Sequence, residues 1–549
     1  MIVDATSRSH SSRPFAHLPH SSARRVLEGI DDEMSPRRLI DTFMRRASTS
    51  SASTSFSSFA RWSSSAASPQ RRFAVVGSGP AGMYAALELP RAFPGARVDV
   101  FDRSPAPFGL VRYGVAPDHA ETKLVTNKFH ETLTTRDDVR FFGNVELGTD
   151  VSLGELYDSY HGVVLACGTN GDRLLDVPGE SENRGVVGAR AFVAWFNGDP
   201  EHGPSSATHF AIEEALINRE DAHVAVIGVG NVALDCARIL LKDAEALAGT
   251  DICEHALEVL RANPVRSVSL IGRRGVAQAS FSPKELRELL NLPRVRVVMS
   301  DESLELAPED ELELKESRPR RRAYEAFVKR ASEGECATAG GCAKTLHVRF
   351  RSSPLAFGGD AGALRWMKLG RNEIVGEPGA RKSVSSGETE TVPTALALRS
   401  VGYAANPIEM RVQDTSASAL RLPFDGRRRV VPNRFGAVTR DASSDAEEIP
   451  RLYVTGWLKR GATGIIGTNL TCAEETIAKM SVDFAENPPS DPIASGVDGL
   501  LSDRGIRVVS ARDWSVIDAL ERGRGADRGK PREKFVSIDD FIKALDDAT

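Results

Sequence analysis

RRFAVVGSGPAGMYAALELPRAFPGARVDVFD, residues 71–102, decides the fold. The apolar run Phe73 to Val76 reads as a short buried strand, and Gly77-Ser78-Gly79-Pro80-Ala81-Gly82 matches G-x-G-x-x-G. Met83 to Leu89 is built of helix formers, and Arg97 to Phe101 reads as a second strand that ends on Asp102. A glycine loop alone is an ordinary turn. Strand, loop, helix, strand and terminal acid in this order form the βαβ fingerprint of a dinucleotide site. Gly77 permits the tight turn, Gly79 lets the backbone approach a pyrophosphate, and Gly82 lets helix and strand pack closely, while the helix N-terminus presents partial positive charge to the phosphates. Asp102 stands where an acid accepts hydrogen bonds from a ribose diol. The motif does not by itself separate FAD from NAD.

The pattern recurs in HVAVIGVGNVALDCARILL, residues 223–241, with Val224 to Ile227 as strand, Gly228-Val229-Gly230-Asn231-Val232-Ala233 as the loop, and a helix through Leu241. A polar helical stretch, residues 242–264, lengthens the crossover before the strand SVSLI, whose tip is Gly272-Arg273-Arg274-Gly275. In isolation an Arg-Arg pair is a solvated turn. At the tip of the second strand of a dinucleotide fold an NAD site carries an acid; two guanidiniums in its place can clamp a 2'-phosphate, so this loop is read as an NADP site.

The chain has 549 residues, 41% hydrophobic and 26% charged, enough for two or three globular domains. No stretch of about 18 apolar residues appears, so no transmembrane segment is expected. Residues 1–72 hold 11 Lys plus Arg against 6 Asp plus Glu, a net of +5 in a chain whose total is -5, which leaves -10 for the remainder. Thr42 to Arg72 contains no acid, and its arginines are interspersed with Ser, Ala and Thr. This is the composition of an organelle transit peptide, with a disordered Ser-rich tail as the alternative. The acids Asp31, Asp32 and Glu33 are foreign to such a peptide and point to a start at Met34 or Met44. The six cysteines contain no C-x-x-C pair, which excludes the common zinc and iron–sulfur spacings and leaves no metal site. Cys336 and Cys342 read as two free thiols in a Gly/Ala-rich loop, with a redox pair as the alternative.

Two dinucleotide sites in tandem describe a flavoprotein reductase in outline, one group as a bound relay and the other as an exchangeable hydride carrier. With no cysteine ahead of Cys167 there is neither a cysteine-rich iron–sulfur domain before the first loop nor a disulfide relay beside it, so the acceptor is another molecule. Across residues 72–549 the motifs VVGSGPAGMYAA, PFGLVRYGVAPDH, FFGNVELG, VIGVGNVALDCARILL, GRRGVAQASFSPKELREL, RSVGY, YVTGWLKRGATGIIGTNL and GKPREKF resemble the NADPH:adrenodoxin oxidoreductases, the mitochondrial ferredoxin–NADP reductases of glutathione-reductase-like type.

The resemblance implies electron flow from NADPH through FAD to a small [2Fe-2S] ferredoxin. It implies an FAD site formed by Gly77, Gly79, Ala81, Gly82, Asp102, Leu110, Leu147, Trp457, Gly464, Ile465 and Ile466. The implied NADP site comprises Val229, Gly230, Asn231, Val232, Arg273, Arg274, Glu285 and Gly464. Asp102 stands where the family usually has Glu, and Val229 where it usually has Gln. Trp457 is open to two readings, simple core or flavin wall, and His119 reads as a structural histidine in a turn. GATGIIGTNL reads as a third glycine-rich loop meeting a helix N-terminus around Thr471 to Thr476. Hydride transfer between cofactors needs no protein acid or base, so no catalytic residue is assigned.

The expected fold is α/β, two Rossmann-like domains with the NADP domain inserted into the FAD domain. The expected boundaries are 1–71 for the head, 72–176 and 395–549 for the FAD domain, and 177–394 for the NADP domain with a surface insertion about 331–391. Strands before RSVGY and before GWLKRG are expected to close the FAD domain, with hinges at 168–179 and 402–407. Lys284, Arg287, Arg318, Arg320, Arg321 and Arg322, with Lys329 and Arg330, form a basic patch on an acidic body, either a ferredoxin dock or a solvated helix face. Nucleic acid is not an expected partner of an acidic body. A mitochondrial monomer in the matrix, or on the matrix side of the inner membrane with peripheral association left open, is expected. Another NADPH-dependent flavin oxidoreductase, a quinone or glutamate-synthase-like donor, and a cofactor-sensing binding protein are the rival readings.

Overall fold

The computed structural model describes residues 70–217, 222–262, 265–333, 341–418, 420–494 and 496–548, all within the unit Ala66–Thr549. The expected transit peptide and Cys336 lie outside the described residues. In chain order, β1 (Arg72–Val76), β2 (Arg97–Asp102), β3 (Val139–Gly143) and β4 (Gly162–Leu165) begin a first lobe. A short strand β5 (Gly171–Asp172) leads out of it. The second lobe holds β6 (Val186–Gly188), β7 (His223–Ile227), β8 (Ser267–Ile271), β9 (Val295–Met299) and β10 (Lys344–Arg349). It continues with β11 (Ser352–Asp360), β12 (Ala363–Val375), β13 (Lys382–Pro393) and β14 (Leu396–Arg399). The chain returns through β15 (Tyr403–Ala404) to β16 (Asn433–Arg434), β17 (Ala437–Thr439) and β18 (Glu448–Val454).

The first sheet has the order β16-β17-β18-β4-β1-β2-β3, with β18, β4, β1, β2 and β3 parallel. Strand β1 shows why its sequence is a continuous apolar run: Phe73 and Val75 enter one core and Ala74 and Val76 the opposite one, so both faces are covered. The second sheet, β6-β14-β7-β8-β10-β9, is parallel throughout. Its β7 splits in the same way, Val224 and Val226 to one side and Ala225 and Ile227 to the other.

Two expectations about this region are corrected. The strand before RSVGY is β14, which pairs between β6 and β7, so the second lobe runs to Arg399 and not to 394. A four-residue apolar run carries no label for its sheet; only the register of Leu396 on Val224 decides it. The described residues 341–391 of the expected surface insertion are not one either. Strand β10 lies inside the parallel sheet between β8 and β9, and β11-β12-β13 form an antiparallel sheet that covers one face of it. Phe357, Leu364, Met367, Leu369 and Val392 pack there on Ala225, Ile227, Ile271 and Ala397, a core that would otherwise face water. Cys342 is disulfide-bonded rather than free.

The two crossings between lobes run side by side, β5 antiparallel to β15 with Tyr403 opposite Asp172. No helix among the described residues is long and apolar enough to cross a membrane.

Candidate functional site

Each parallel sheet ends in a glycine loop followed by a helix. At the first, Gly77 has φ +109°, and a Cβ there would stand 2.4 Å from the Ala166 carbonyl oxygen. A Cβ on Gly82 would lie 1.7 Å from the Gly77 oxygen, so helix Pro80–Ala92 packs as closely as the sequence requires. Gly79 is different: no atom lies within 4 Å of its Cβ direction, and the space in front of the helix N-terminus is open. The chain thus leaves room where backbone N–H groups point outward.

Asp102 closes β2. Its Oδ2 accepts from the Ser78 amide at 2.8 Å and the Ser78 hydroxyl at 2.5 Å, and its Oδ1 from the Ser104 amide at 2.9 Å. Burial pushes its carboxyl above the ordinary range against the pull of those bonds. Ser78, an unassigned position of the glycine motif, orients the acid. The PFGLV segment lies over the loop, since Phe108 N donates to Ser78 O at 3.1 Å and a Cβ on Gly109 would sit 3.1 Å from Gly79 Cα. Leu110 opens the short helix that follows, and Leu147 is buried in the turn beyond β3.

The third glycine-rich segment reaches the same place. The helix expected near Thr471 starts at Thr468 and packs along Pro80–Ala92. A Cβ on Gly456 would fall 2.5 Å from the Ala81 Cβ and 3.5 Å from Asn469 Oδ1, which places the first turns of the two helices together. Trp457 is half-buried, its indole donating to Thr463 O at 3.0 Å and its ring 5.4 Å from Tyr403. Gly464 takes φ +83°, while Ile465 is 77% exposed and Ile466 half-buried. Arg460, which carried no role in the sequence, fixes this loop through Thr463 O at 2.5 Å and Asn469 Oδ1 at 3.0 Å. Cys472 accepts from Gly456 N at 3.2 Å.

At the second loop Gly228 has φ +137° and a Cβ there would stand 2.1 Å from Ser400 O. Gly230 caps helix Asn231–Leu241 with only Ser280 Oγ near its Cβ direction, at 3.8 Å. The Val229 carbonyl accepts from Ser280 N and Oγ, and Asn231 Oδ1 accepts from Ser282 N at 2.7 Å, while Val232 stays half-buried. Arg273 is exposed and Arg274 half-buried, and among the described residues neither forms an ion pair. Glu285 lies on helix Pro283–Leu290, with a buried Oε2 that has no hydrogen-bond partner. That helix meets the first lobe, His119 Nε2 standing 2.7 Å from Glu288 and Lys284 Nζ 3.0 Å from Glu121. His119 is thus half of an interlobe hydrogen-bonded contact with Glu288 and caps no turn with its side chain.

A cavity of about 490 Å³ lies between β9, β10 and the antiparallel cover, and its Arg349–Ser352 edge borders the Gly272–Arg274 turn. Its Arg349 and Arg371 are already paired with Glu390 and Glu302.

The residues present accommodate two dinucleotides: open space at Gly79 and Gly230, an acid at one strand tip, unpaired guanidiniums at the other, and an orphaned Glu285 oxygen between the lobes. The basic patch is less uniform. Arg287, Arg318, Arg321 and Arg322 are exposed, but Lys284 is held by Glu121 and Arg320 is half-buried. Arg330 is buried and donates to the Leu290 and Val295 carbonyls, so it does not contribute to a surface.

Residues 71–291 match the family model described as pyridine nucleotide-disulphide oxidoreductase. The chain is 41% identical over 492 residues to a mitochondrial NADPH:adrenodoxin oxidoreductase of Arabidopsis thaliana, covering 88% of this chain and 97% of the relative. It is 39% identical to the mitochondrial enzyme of that name from Homo sapiens, covering 86% and 91%. Among solved structures, FprA of Mycobacterium tuberculosis in complex with NADPH superimposes with a TM-score of 0.76 at 34% identity, covering 87% of this chain and 99% of that one. Similarity of this extent, spanning both lobes and both glycine loops, places the chain in the family of NADPH:adrenodoxin oxidoreductases.

Proposed function

We propose that this chain is an NADPH-dependent flavoprotein reductase that delivers electrons to a [2Fe-2S] ferredoxin. The observation that carries the reading is the contrast between two nucleotide loops, Asp102 at the tip of one and the unpaired Arg273 and Arg274 at the tip of the other, in a chain of this family. FAD, when bound, supplies the exchange between a two-electron donor and one-electron acceptors.

The chain's own residues bind and orient. In this reading Gly77, Gly79, Ala81 and Gly82 seat the FAD pyrophosphate on a helix N-terminus, and Asp102, pre-oriented by Ser78, receives the ribose. Leu110, Leu147, Trp457, Gly464, Ile465 and Ile466 enclose the rest. Val229, Gly230, Asn231 and Val232 seat NADPH, Arg273 and Arg274 take its 2'-phosphate, and Glu285 and Gly464 serve its nicotinamide end. The first lobe, about 72–176 together with the segment after Arg399, is the FAD domain, and 177–399 is the NADP domain.

Arg287, Arg318, Arg321 and Arg322 form the ferredoxin dock, exposed cations that steer an acidic partner. The relatives' mitochondrial names support a mitochondrial location; the matrix, or the matrix face of the inner membrane, is the place this reading adds. The working form is a monomer.

The test is NADPH-driven cytochrome c reduction by the purified yellow protein, with and without an added [2Fe-2S] ferredoxin. A large ferredoxin-dependent increase is expected. Flavin bleaching by NADPH without a ferredoxin effect would redirect the reading to another acceptor, such as a quinone.

A further inference from the structure

Helix Arg318–Ser332 carries four arginines in its first turns, and its periodicity separates them. Arg320, Ala323, Phe327 and Arg330 fall at i, i+3, i+7 and i+10, one stripe of the helix. Ala323, Phe327 and Arg330 are buried, and Arg320 is half-buried, whereas Arg318, Arg321 and Arg322 are exposed. The Phe327 ring lies 5.5 Å from that of Phe350, and a Cβ on Gly272 would stand 3.1 Å from Phe350. The Phe327 part of the stripe therefore packs beneath the arginine loop, with Arg320, its side chain 40% exposed, at the outer end.

Two hydrogen bonds and one ion pair tie Arg320 to that loop. Gly275 N donates to Gln278 Oε1 at 3.2 Å, Gln278 Nε2 donates to Glu313 Oε2 at 2.9 Å, and the Arg320 guanidinium lies 3.6 Å from the same Glu313 oxygen. Glu313 is itself buried and receives Gly379 N at 2.7 Å, which fixes it in place.

We propose that Arg320 is a third guanidinium of the 2'-phosphate site and a specificity-determining residue for NADPH, not a member of the docking surface. This deepens the NADPH reading above and rests on it. Arg273 and Arg320 are close enough to Arg274 to repel it, and among the described residues only Arg320 of the three has a carboxylate within 4 Å, Glu313; the neighbouring Asp310 and Glu309 are taken by Arg381. The turn therefore presents an excess of guanidinium charge to a phosphate monoester, which carries roughly -1.5 to -2 at neutral pH. Burial, then Arg273 and Arg320, lowers the Arg274 guanidinium from its ordinary value against the pull of Glu313.

The experiment titrates the full-length protein with 2'-AMP and with 5'-AMP, and measures NADPH, NADH and ferredoxin KM, for Arg320→Ala and Arg318→Ala. Arg320→Ala is expected to weaken 2'-AMP about tenfold and to raise the NADPH KM, with 5'-AMP, NADH and ferredoxin unchanged. Arg320→Gln, which keeps a donor for Glu313, should repeat the result if the alanine variant unfolds. Arg318→Ala is expected to raise only the ferredoxin KM. Unchanged 2'-AMP affinity in the Arg320 variants, or a raised ferredoxin KM, would overturn the proposal. If Arg273→Ala also leaves 2'-AMP unaffected, the NADPH assignment of the loop fails instead.

Discussion

Lys534 Nζ lies 2.9 Å from the Asp251 carboxylate, with only 1% of the lysine side chain exposed. Lys123 reaches the other oxygen at 2.7 Å and also donates to Asn197. Both lysines come from the first lobe, one near its start and one near the chain end, and Asp251 belongs to the second. Lys530 extends the clasp to Glu254 and Glu533. Asp118 makes a second tie across the seam, to Arg238 at 2.8 Å and Lys242 at 3.0 Å. Beside Asp251, burial and then Lys534 lower the Lys123 ammonium to about 8, so the charges hold each other at a cost that only a packed seam sustains.

Asp251→Asn should therefore leave two buried ammonium groups without a counter-charge. The expected loss is about 3–5 kcal/mol of stability, read as a lower thermal midpoint and faster proteolysis near residue 530. A loss under about 1 kcal/mol would show that the clasp is not a principal tie.

Gly82→Ala and Gly79→Ala should separate folding from cofactor retention. Alanine at 82 collides with the Gly77 carbonyl and should prevent the lobe from folding, whereas alanine at 79 meets nothing in the protein. Gly79→Ala is expected to keep a near-normal midpoint yet purify with a reduced ratio of flavin to protein absorbance. Full flavin content would show that the open space at Gly79 is not where the pyrophosphate lies.

Replacing Arg273 and Arg274 together by alanine should bring the NADPH and NADH KM values together, with the NADPH value rising on the order of 100-fold. Dye reduction at saturating nucleotide checks this without the ferredoxin. A preference that survives the double change would remove the 2'-phosphate role of this pair.

Charge reversal at Arg318 and Arg322 should raise the ferredoxin KM and flatten its salt dependence while leaving dye reduction unchanged. Stopped-flow and steady-state measurements across ionic strengths read both. Equal loss in both assays would point to misfolding rather than docking.

Acid should destabilise the second lobe. Burial, then His347 and Arg349, lowers His223 from 6.5 to about 4, and burial, then His209, lowers His255 to about 4. Because the unfolded chain takes up these protons first, the stability they contribute is full above pH 6.5 and is lost as pH falls toward 4, up to roughly 3 kcal/mol for each. The midpoint measured from pH 8 to 4.5 should fall less steeply in a His223→Asn, His255→Asn variant than in the parent.

Both glycine loops were legible because their constraints are local. Gly77 and Gly228 need a positive φ and an absent Cβ whatever surrounds them, and the strand, helix and acid that follow lie within a few tens of residues. The 320, 323, 327, 330 stripe was also written in the sequence, but a count of arginines hides it and a period of 3.6 reveals it. Strand β14 was not legible, since LALR suits any parallel sheet, and neither was the burial of Lys530 and Lys534, which depends on Glu254, Glu533 and Asp251 being brought beside them. Two dinucleotide loops of opposite charge preference follow from residues 71–102 and 223–275 alone, because steric demand and charge at a strand tip belong to neighbouring residues. Which strands close each sheet and how the lobes are held together follow only from the folded chain, because they depend on partners far apart in sequence that meet when the apolar faces are buried.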